Sequence, residues 1–334
     1  MTTALILVII IITVALVFDF INGFHDAANS VATVVATQVL TPFQAVLWAA
    51  FWNFVSAFSF GTGVARTVGS GLVDLNYVDL SVILSGLTGA ILWDLLTWYF
   101  GLPTSSSHAL LGGYAGAAIA AAGFQAILIQ GWIRIILFIF IAPVLGLALA
   151  WVLMILVYWL FKGFSPARMD WYFRKLQLVS AAIFSYSHGT NDAQKTMGII
   201  TGVLVTAGFL KTFEVPVWVI LSAHAAIALG TMSGGWRIIH TMGGRLTRLK
   251  PRLGFCAETA AASSILFSTG LHMPVSTTHT VAGAIAGVGS IQRPKAVRWR
   301  IATNILWAWI LTIPASGIVG WLACLLLRPL IPSL

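Results

Sequence analysis

Long apolar runs, each broken or ended by a few polar residues, follow one another along the whole chain. The first, from about Ala4 to Leu40, is too long for one unbroken bilayer span, which takes roughly 20 residues. It carries Asp19, Asn22, Gly23, His25, Asp26, Asn29 and Ser30 in its middle, and a break in the helix is expected there. A second span follows Pro42 to about Gly63. Next come a linker, Arg66–Asp79, and a helix, Leu80–Phe100, stopped at Gly101-Leu-Pro103 because proline removes a helical hydrogen bond. Thr104–Ser107 supplies capping residue types for a new helix, Ala109–Ala122, so this pair reads as a hairpin with a Ser-rich tip. An apolar stretch, Gly131–Phe161, completes the first half.

The second half repeats the plan. Gln177–Gly208 is again overlong and is expected to break at the polar Ser185–Thr196; Val215–Gly234 spans; Leu253–Gly270 ends at Leu271-His-Met-Pro274; Ser276–Thr278 caps another helix; and Ile301–Leu327 closes the chain. Gly23, Asp26 and Asn29 fall on Gly189, Asp192 and Lys195 at an offset of 166, and Pro103, Ser105 and His108 fall on Pro274, Ser276 and His279 at an offset of 171. The predicted fold is therefore an all-α polytopic membrane protein built from two inverted-topology repeats with broken helices and helical hairpins. Residues 1–161 form the first repeat, 162–175 a basic cytoplasmic linker and 176–334 the second repeat.

Composition agrees: 59% of residues are hydrophobic and 8% charged, whereas soluble domains carry about 25% charged residues. The absence of strand-like alternation argues for helices rather than a barrel. The formal charge of +9 is concentrated in loops, with 13 of the 18 basic residues in 162–175, 237–252 and 293–300. That is the distribution of cytoplasmic loops, not of a nucleic-acid surface. With each broken segment counted as one crossing and each hairpin as a return, all three loops lie inside. Arg66–Asp79, Arg134, Lys211 and both termini then lie outside, and the halves are inverted, a common plan of secondary transporters. The apolar run at the N-terminus lacks a basic flank and reads as part of a span, not a cleaved signal. Cys256 and Cys324 imply neither a disulfide framework nor a metal cluster. The expected location is the inner (plasma) membrane, in contact with lipid; a homodimer is left open.

The polar islands are the candidate chemistry. Helix starts at the two tips leave N–H groups with partial positive charge, and Ser105, Ser106, Ser107, Ser276, Thr277 and Thr278 add hydroxyls, a good receptor for an oxyanion. A carboxylate at the bilayer centre costs at least about 2.5–3.5 kcal/mol, so Asp26 and Asp192 each need a cation, a proton or a basic partner. Lys195, one turn from Asp192, can be that partner. Asp26 has only His25, and Asp26, Asn29 and freed carbonyls suit Na⁺ while Asp26 with His25 suits H⁺. His108 and His279 sit at matched positions after the tips with either structural or proton-relay roles. Asp94 and Glu258, not equivalent by repeat, either pair with a base or line the cation path.

These residues resemble the inorganic phosphate transporter family of the low-affinity PiT type. Its signature appears as Gly189-Thr-Asn-Asp-Ala-Gln-Lys195 and, divergently, as Gly23-Phe-His-Asp-Ala-Ala-Asn29, with tips Pro103-Thr-Ser-Ser-Ser-His108 and Pro274-Val-Ser-Thr-Thr-His279. The resemblance implies phosphate uptake by cation symport with alternating access and no cofactor beyond the co-transported ion. Substrate contacts then fall on Asn29, Ser105, Ser106, Ser107, Gln194, Ser276, Thr277 and Thr278. Coupling falls on Asn22, His25, Asp26, Asn191, Asp192, Lys195 and Glu258, with Asp26 and Asp192 as metal ligands only if the ion is Na⁺. His25 stands where the signature has asparagine, which favours H⁺. A sulfate permease of the same fold is the nearest alternative. An intramembrane hydrolase using Asp26 and Asp192 is another class, but no His-Glu-x-x-His or Gly-x-Ser-x-Gly stretch accompanies them, and no enzyme is expected.

Overall fold

A computed structural model describes residues 2–59, 61–239, 249–292 and 298–331. The chain is helical: α1 Thr2–Ala36, α2 Pro42–Val55, α3 Gly63–Ser70, α4 Leu80–Tyr99, α5 Ser106–Ala122, α6 Ile129–Leu160, α7 Pro166–Thr206, α8 Val217–Ser233, α9 Pro251–Gly270, α10 Thr277–Gln292 and α11 Trp299–Leu327. Among the described residues, four helices are long and apolar enough to cross a membrane, or five if the bent pair α2–α3 counts as one span. The fold is all-α and polytopic, as the hydropathy pattern predicts.

Two expectations are corrected. First, α1 and α7 do not break: each runs without interruption through its polar stretch. The glycine within each polar stretch serves close packing. A Cβ on Gly23 would sit 2.1 Å from the Ile227 carbonyl oxygen, and one on Gly189 would sit 2.4 Å from Ser56 Oγ and 2.7 Å from the Asn53 carbonyl oxygen. A mid-helix glycine costs about 1 kcal/mol relative to alanine, less than the overpacking that any side chain would cause here. Among the described residues one bend falls an element later, 88° between α2 and α3. Second, 162–175 is largely helical. The turn is over by Ser165, whose hydroxyl caps α7, so the basic residues from Arg168 onward ride on its first turns. Of the other basic clusters, residues 240–248 and 293–297 lie outside the described residues.

Both hairpins form as expected. α4 ends before Gly101, φ +65°, and α9 before His272, φ +60°, its repeat mate. A non-glycine residue in that left-handed region costs roughly 1–2 kcal/mol. The His272 ring lies against Gly63, where any side chain on residue 63 would collide with it.

The halves interlock. α11 packs on the α4–α5 hairpin of the first half, while α6 packs on the α9–α10 hairpin of the second. Glycines make both seams: a Cβ on Gly116 would lie 2.0 Å from the Gly317 carbonyl oxygen, and one on Gly283 2.5 Å from that of Pro143. α1 and α7 run antiparallel. Thr37 and Gln38, just past the end of α1, bond Gln177 and Arg174 of α7, whereas Asp26 of α1 lies beside Asp192 farther along α7. Two apolar clusters flank the polar stretches, one including Val8–Phe18 and Ala193–Leu204, the other Ala28–Val34 with Ala181 and Phe184. A polar layer is thus enclosed between two apolar ones.

Candidate functional site

The N-termini of α5 and α10 meet inside this layer, their first histidine rings packed edge to face with centroids 4.5 Å apart. Ser105 and Ser276 hydroxyls accept the N–H groups of His108 and His279, so these two serines act as caps. The first backbone bonds of the two helices come from Ala109 and Thr280. The N–H groups of Ser106, Ser107, Thr277 and Thr278 therefore precede the helical ladder, where partial positive charge collects.

The signature carboxylates sit across from these tips. Ser106 Oγ donates to Asp26 Oδ1 at 3.4 Å, and Thr277 Oγ1 donates to Asp192 Oδ2 at 3.4 Å. Crosswise, Asn29 Nδ2 donates to Thr278 Oγ1 at 2.8 Å, and Lys195 Nζ donates to Ser107 Oγ. Each contact maps onto its partner when the halves are exchanged. Carboxylate oxygens of Asp26 and Asp192 and a ring nitrogen of His188 all lie within 4.8 Å of one another. Every one of these side chains is buried. Two carboxylates so close repel each other, a cost that a cation beside them relieves.

Symmetry fails at two positions. Lys195 Nζ lies 2.5 Å from Asp192 Oδ1 and also donates to the Val275 carbonyl at 3.0 Å, so the second half carries its own cation. Asp26 has no such lysine; His25 Nδ1 lies 2.9 Å from its Oδ1, and His25 Nε2 lies 3.1 Å from Thr97 Oγ1. The residue matching His25 is Asn191, which braces the second tip by donating to Thr269 Oγ1 and the Met273 carbonyl and accepting from the Val275 N–H.

As a cation site, the donor set has two hard carboxylates that suit Na⁺ and one imidazole that does not favour it. His188 Nδ1 lies 3.2 Å from Asn53 Oδ1, and Asn53 in turn donates to Thr231. The residues present therefore fit a proton or a cation held chiefly by carboxylate oxygen.

Not every candidate converges here. Gln194 Oε1 accepts the N–H groups of Val64 and Ala65, capping α3, which has no side-chain cap of its own. Glu258 forms a separate buried cluster with Thr33 Oγ1 at 2.6 Å, Gln177 Nε2 at 2.9 Å and Ser180 Oγ. Thr33 stands seven residues beyond Asp26, roughly 10 Å along α1. Asn22 leaves its amide oxygen without a hydrogen-bond partner. Sequence reasoning passed over His188, although its i,i+4 spacing before Asp192 was legible. It also passed over Thr97 and Thr104, which only the hairpin turn brings to His25. A cavity of about 850 Å³, lined by Arg66, Arg134 and His272 among others, reaches Met273 beside the second tip.

A family model described as Phosphate transporter family matches residues 22–320. A probable low-affinity inorganic phosphate transporter of Rhizobium meliloti (strain 1021) is 51% identical, over 96% of both chains. A protein of Bacillus subtilis (strain 168) with the same description is 46% identical, over 98% of this chain and 99% of its own. A solved structure described as the sodium-dependent phosphate transporter superposes with a TM-score of 0.90 at 24% identity, covering 97% of this chain and 99% of its own; at that identity it speaks for the fold. The match across both signatures and both hairpin tips places the chain in the phosphate transporter family, whose members are transporters and not enzymes.

Proposed function

We propose that this protein takes up inorganic phosphate by symport with a cation, H⁺ favoured over Na⁺, through alternating access of two inverted halves. The observation that carries the reading is the meeting of two helix N-termini and two carboxylates in one buried layer. The tips offer N–H groups and the hydroxyls of Ser107, Thr277 and Thr278 to an oxyanion, and Lys195 adds a positive charge beside them. Asp26 opposes the same anion, whereas Lys195 offsets the charge of Asp192. At an effective dielectric of 20, two unit charges 4 Å apart repel by about 4 kcal/mol. A co-transported cation on the carboxylates removes that cost, so phosphate and cation bind well only together. That mutual dependence is coupling.

His25 on Asp26 supports H⁺ as the ion, since imidazole beside a carboxylate is a proton-exchanging pair. The antiparallel course of α1 and α7 and the exchanged hairpin partners support inverted repeats that rock about the site. In this reading 1–161 and 176–334 are the moving halves, the termini are extracytoplasmic, and the cavity at Arg66 and Arg134 is the anion's entrance. Glu258 with Thr33 and Ser180 lies on the cation path.

Reconstituted protein should accumulate labelled phosphate under an imposed inward H⁺ gradient, and unlabelled phosphate should compete better than sulfate. Block by sulfate but not by phosphate would transfer the assignment to sulfate.

A further inference from the structure

Asp19 lies two turns before Asp26 on α1, fully buried, with neither carboxylate oxygen in a fully formed hydrogen bond. Around it stand Asn22, one turn on along the same face, and Thr196 from α7. Both are buried, and the Asn22 amide oxygen and the Thr196 hydroxyl are themselves without a fully formed hydrogen bond. The Thr196 hydroxyl and the Asn22 side chain face the Asp19 carboxylate as long hydrogen-bond partners, short of the distance and angle of a fully formed bond. The charges of Asp192 and Lys195 also reach it. Buried polar atoms are almost always well paired, so four oxygens without a fully formed bond on three neighbouring side chains leave room for a further ligand. Lys195 does not fill it, being bound to Asp192, Ser107 and Val275.

We infer that Asp19, Asn22 and Thr196 form a second coupling-cation site, beside the Asp26–Asp192 locus, that takes one small hard monovalent cation. The set offers a carboxylate, an amide oxygen and a hydroxyl, which coordinate Na⁺ or accept the hydrogen bonds of a hydronium ion equally well. Its members adapt to both states. The Thr196 hydroxyl donates to a bare carboxylate or turns its lone pairs to a cation, and the amide of Asn22 does the same by rotation. The site joins α1 and α7, one helix from each half, so occupancy is read by both moving parts. Its carboxylate has no repeat mate, because Ser185 stands at the matching position. It therefore adds one charge to the transport cycle without adding a second anion site. This inference rests on the symport reading and extends it to the number of ions carried.

The test is the cation count per phosphate, measured in proteoliposomes from the phosphate ratio that just balances an imposed cation gradient, in separate Na⁺ and H⁺ arms. Under a tenfold gradient each carried cation multiplies the attainable phosphate ratio about tenfold. In Asp19→Asn the count should fall by one, in whichever arm drives the wild type, and that arm names the ion. Thr196→Val, a milder change, should raise the half-saturating cation concentration several-fold more than that of phosphate. If the wild type couples and Asp19→Asn keeps its count, the inference is overturned and the symport reading stands. Should Asp19→Asn fail to fold, Thr196→Val decides, and equal cation activation in wild type and variant overturns it. A wild type that couples to neither ion removes both.

Discussion

The signature on α1 and the signature on α7 occupy equivalent places against equivalent hairpin tips, yet their carboxylates are served differently. Asp192 is paired with a lysine from its own helix, within a mesh that also binds Ser107 and Val275. Asp26 touches a histidine and two hydroxyls, and among the described residues no lysine or arginine pairs with it. In the proposed symport, the contrast separates two tasks: Asp192, paired with Lys195, would hold the anion side in place, while Asp26 would wait for the mobile ion. Symmetric contacts build the cluster, and the symmetry breaks at 25/191 and 29/195.

The comparison breaks hardest at the aspartates. Asp192→Asn should abolish coupled uptake and also destabilise the fold, since removing one member of a buried ion pair costs about 3–5 kcal/mol; thermal unfolding in detergent and uptake report the two losses together. Asp26→Asn should lose coupled uptake to a similar extent, at least 100-fold, while its melting temperature stays near that of the wild type. Equal destabilisation by both substitutions would erase the proposed difference. Asn29→Ala comes next. It removes a bond to Thr278 and leaves that hydroxyl in a buried site, a loss of about 1–3 kcal/mol, read as a tenfold or greater rise in half-saturating phosphate. His25→Asn sharpens the comparison by restoring the residue of the other half: uptake driven by H⁺ should fall about tenfold or more while Na⁺-driven uptake does not. The smallest effect is expected of Gln194→Ala, which removes the cap of α3 and should lower stability by about 1 kcal/mol with little change in phosphate affinity.

Much of this was legible in residues. Apolar runs, two prolines and two Ser/Thr tips were enough for an all-α membrane fold with two hairpins, because proline and capping act locally. The unbroken α1 and α7 were not legible. The polar stretches look like breaks in one dimension, and the packing that keeps them helical, such as α8 against Gly23 and α2 against Gly189, is visible only in the fold. Gln194 was read as a substrate ligand for the same reason: its partner, the bare end of α3, is 129 or 130 residues away. Asn29, Lys195 and the tips stood out in the sequence because their motifs recur at nearly equal offsets, a signal that reaches across the chain. Asp19, which has no duplicate, drew no role from the sequence although it lay in plain view.

The central claim is that anion and cation bind as one unit because Asp26 opposes phosphate until it is neutralised. Equilibrium binding of phosphate to purified wild type and Asp26→Asn, titrated with the coupling cation, tests it most directly. Wild-type affinity should tighten at least tenfold as the cation is raised, whereas Asp26→Asn should bind phosphate with nearly constant affinity across the series. Wild-type affinity indifferent to the cation, or a variant that still follows it in parallel, would contradict the account.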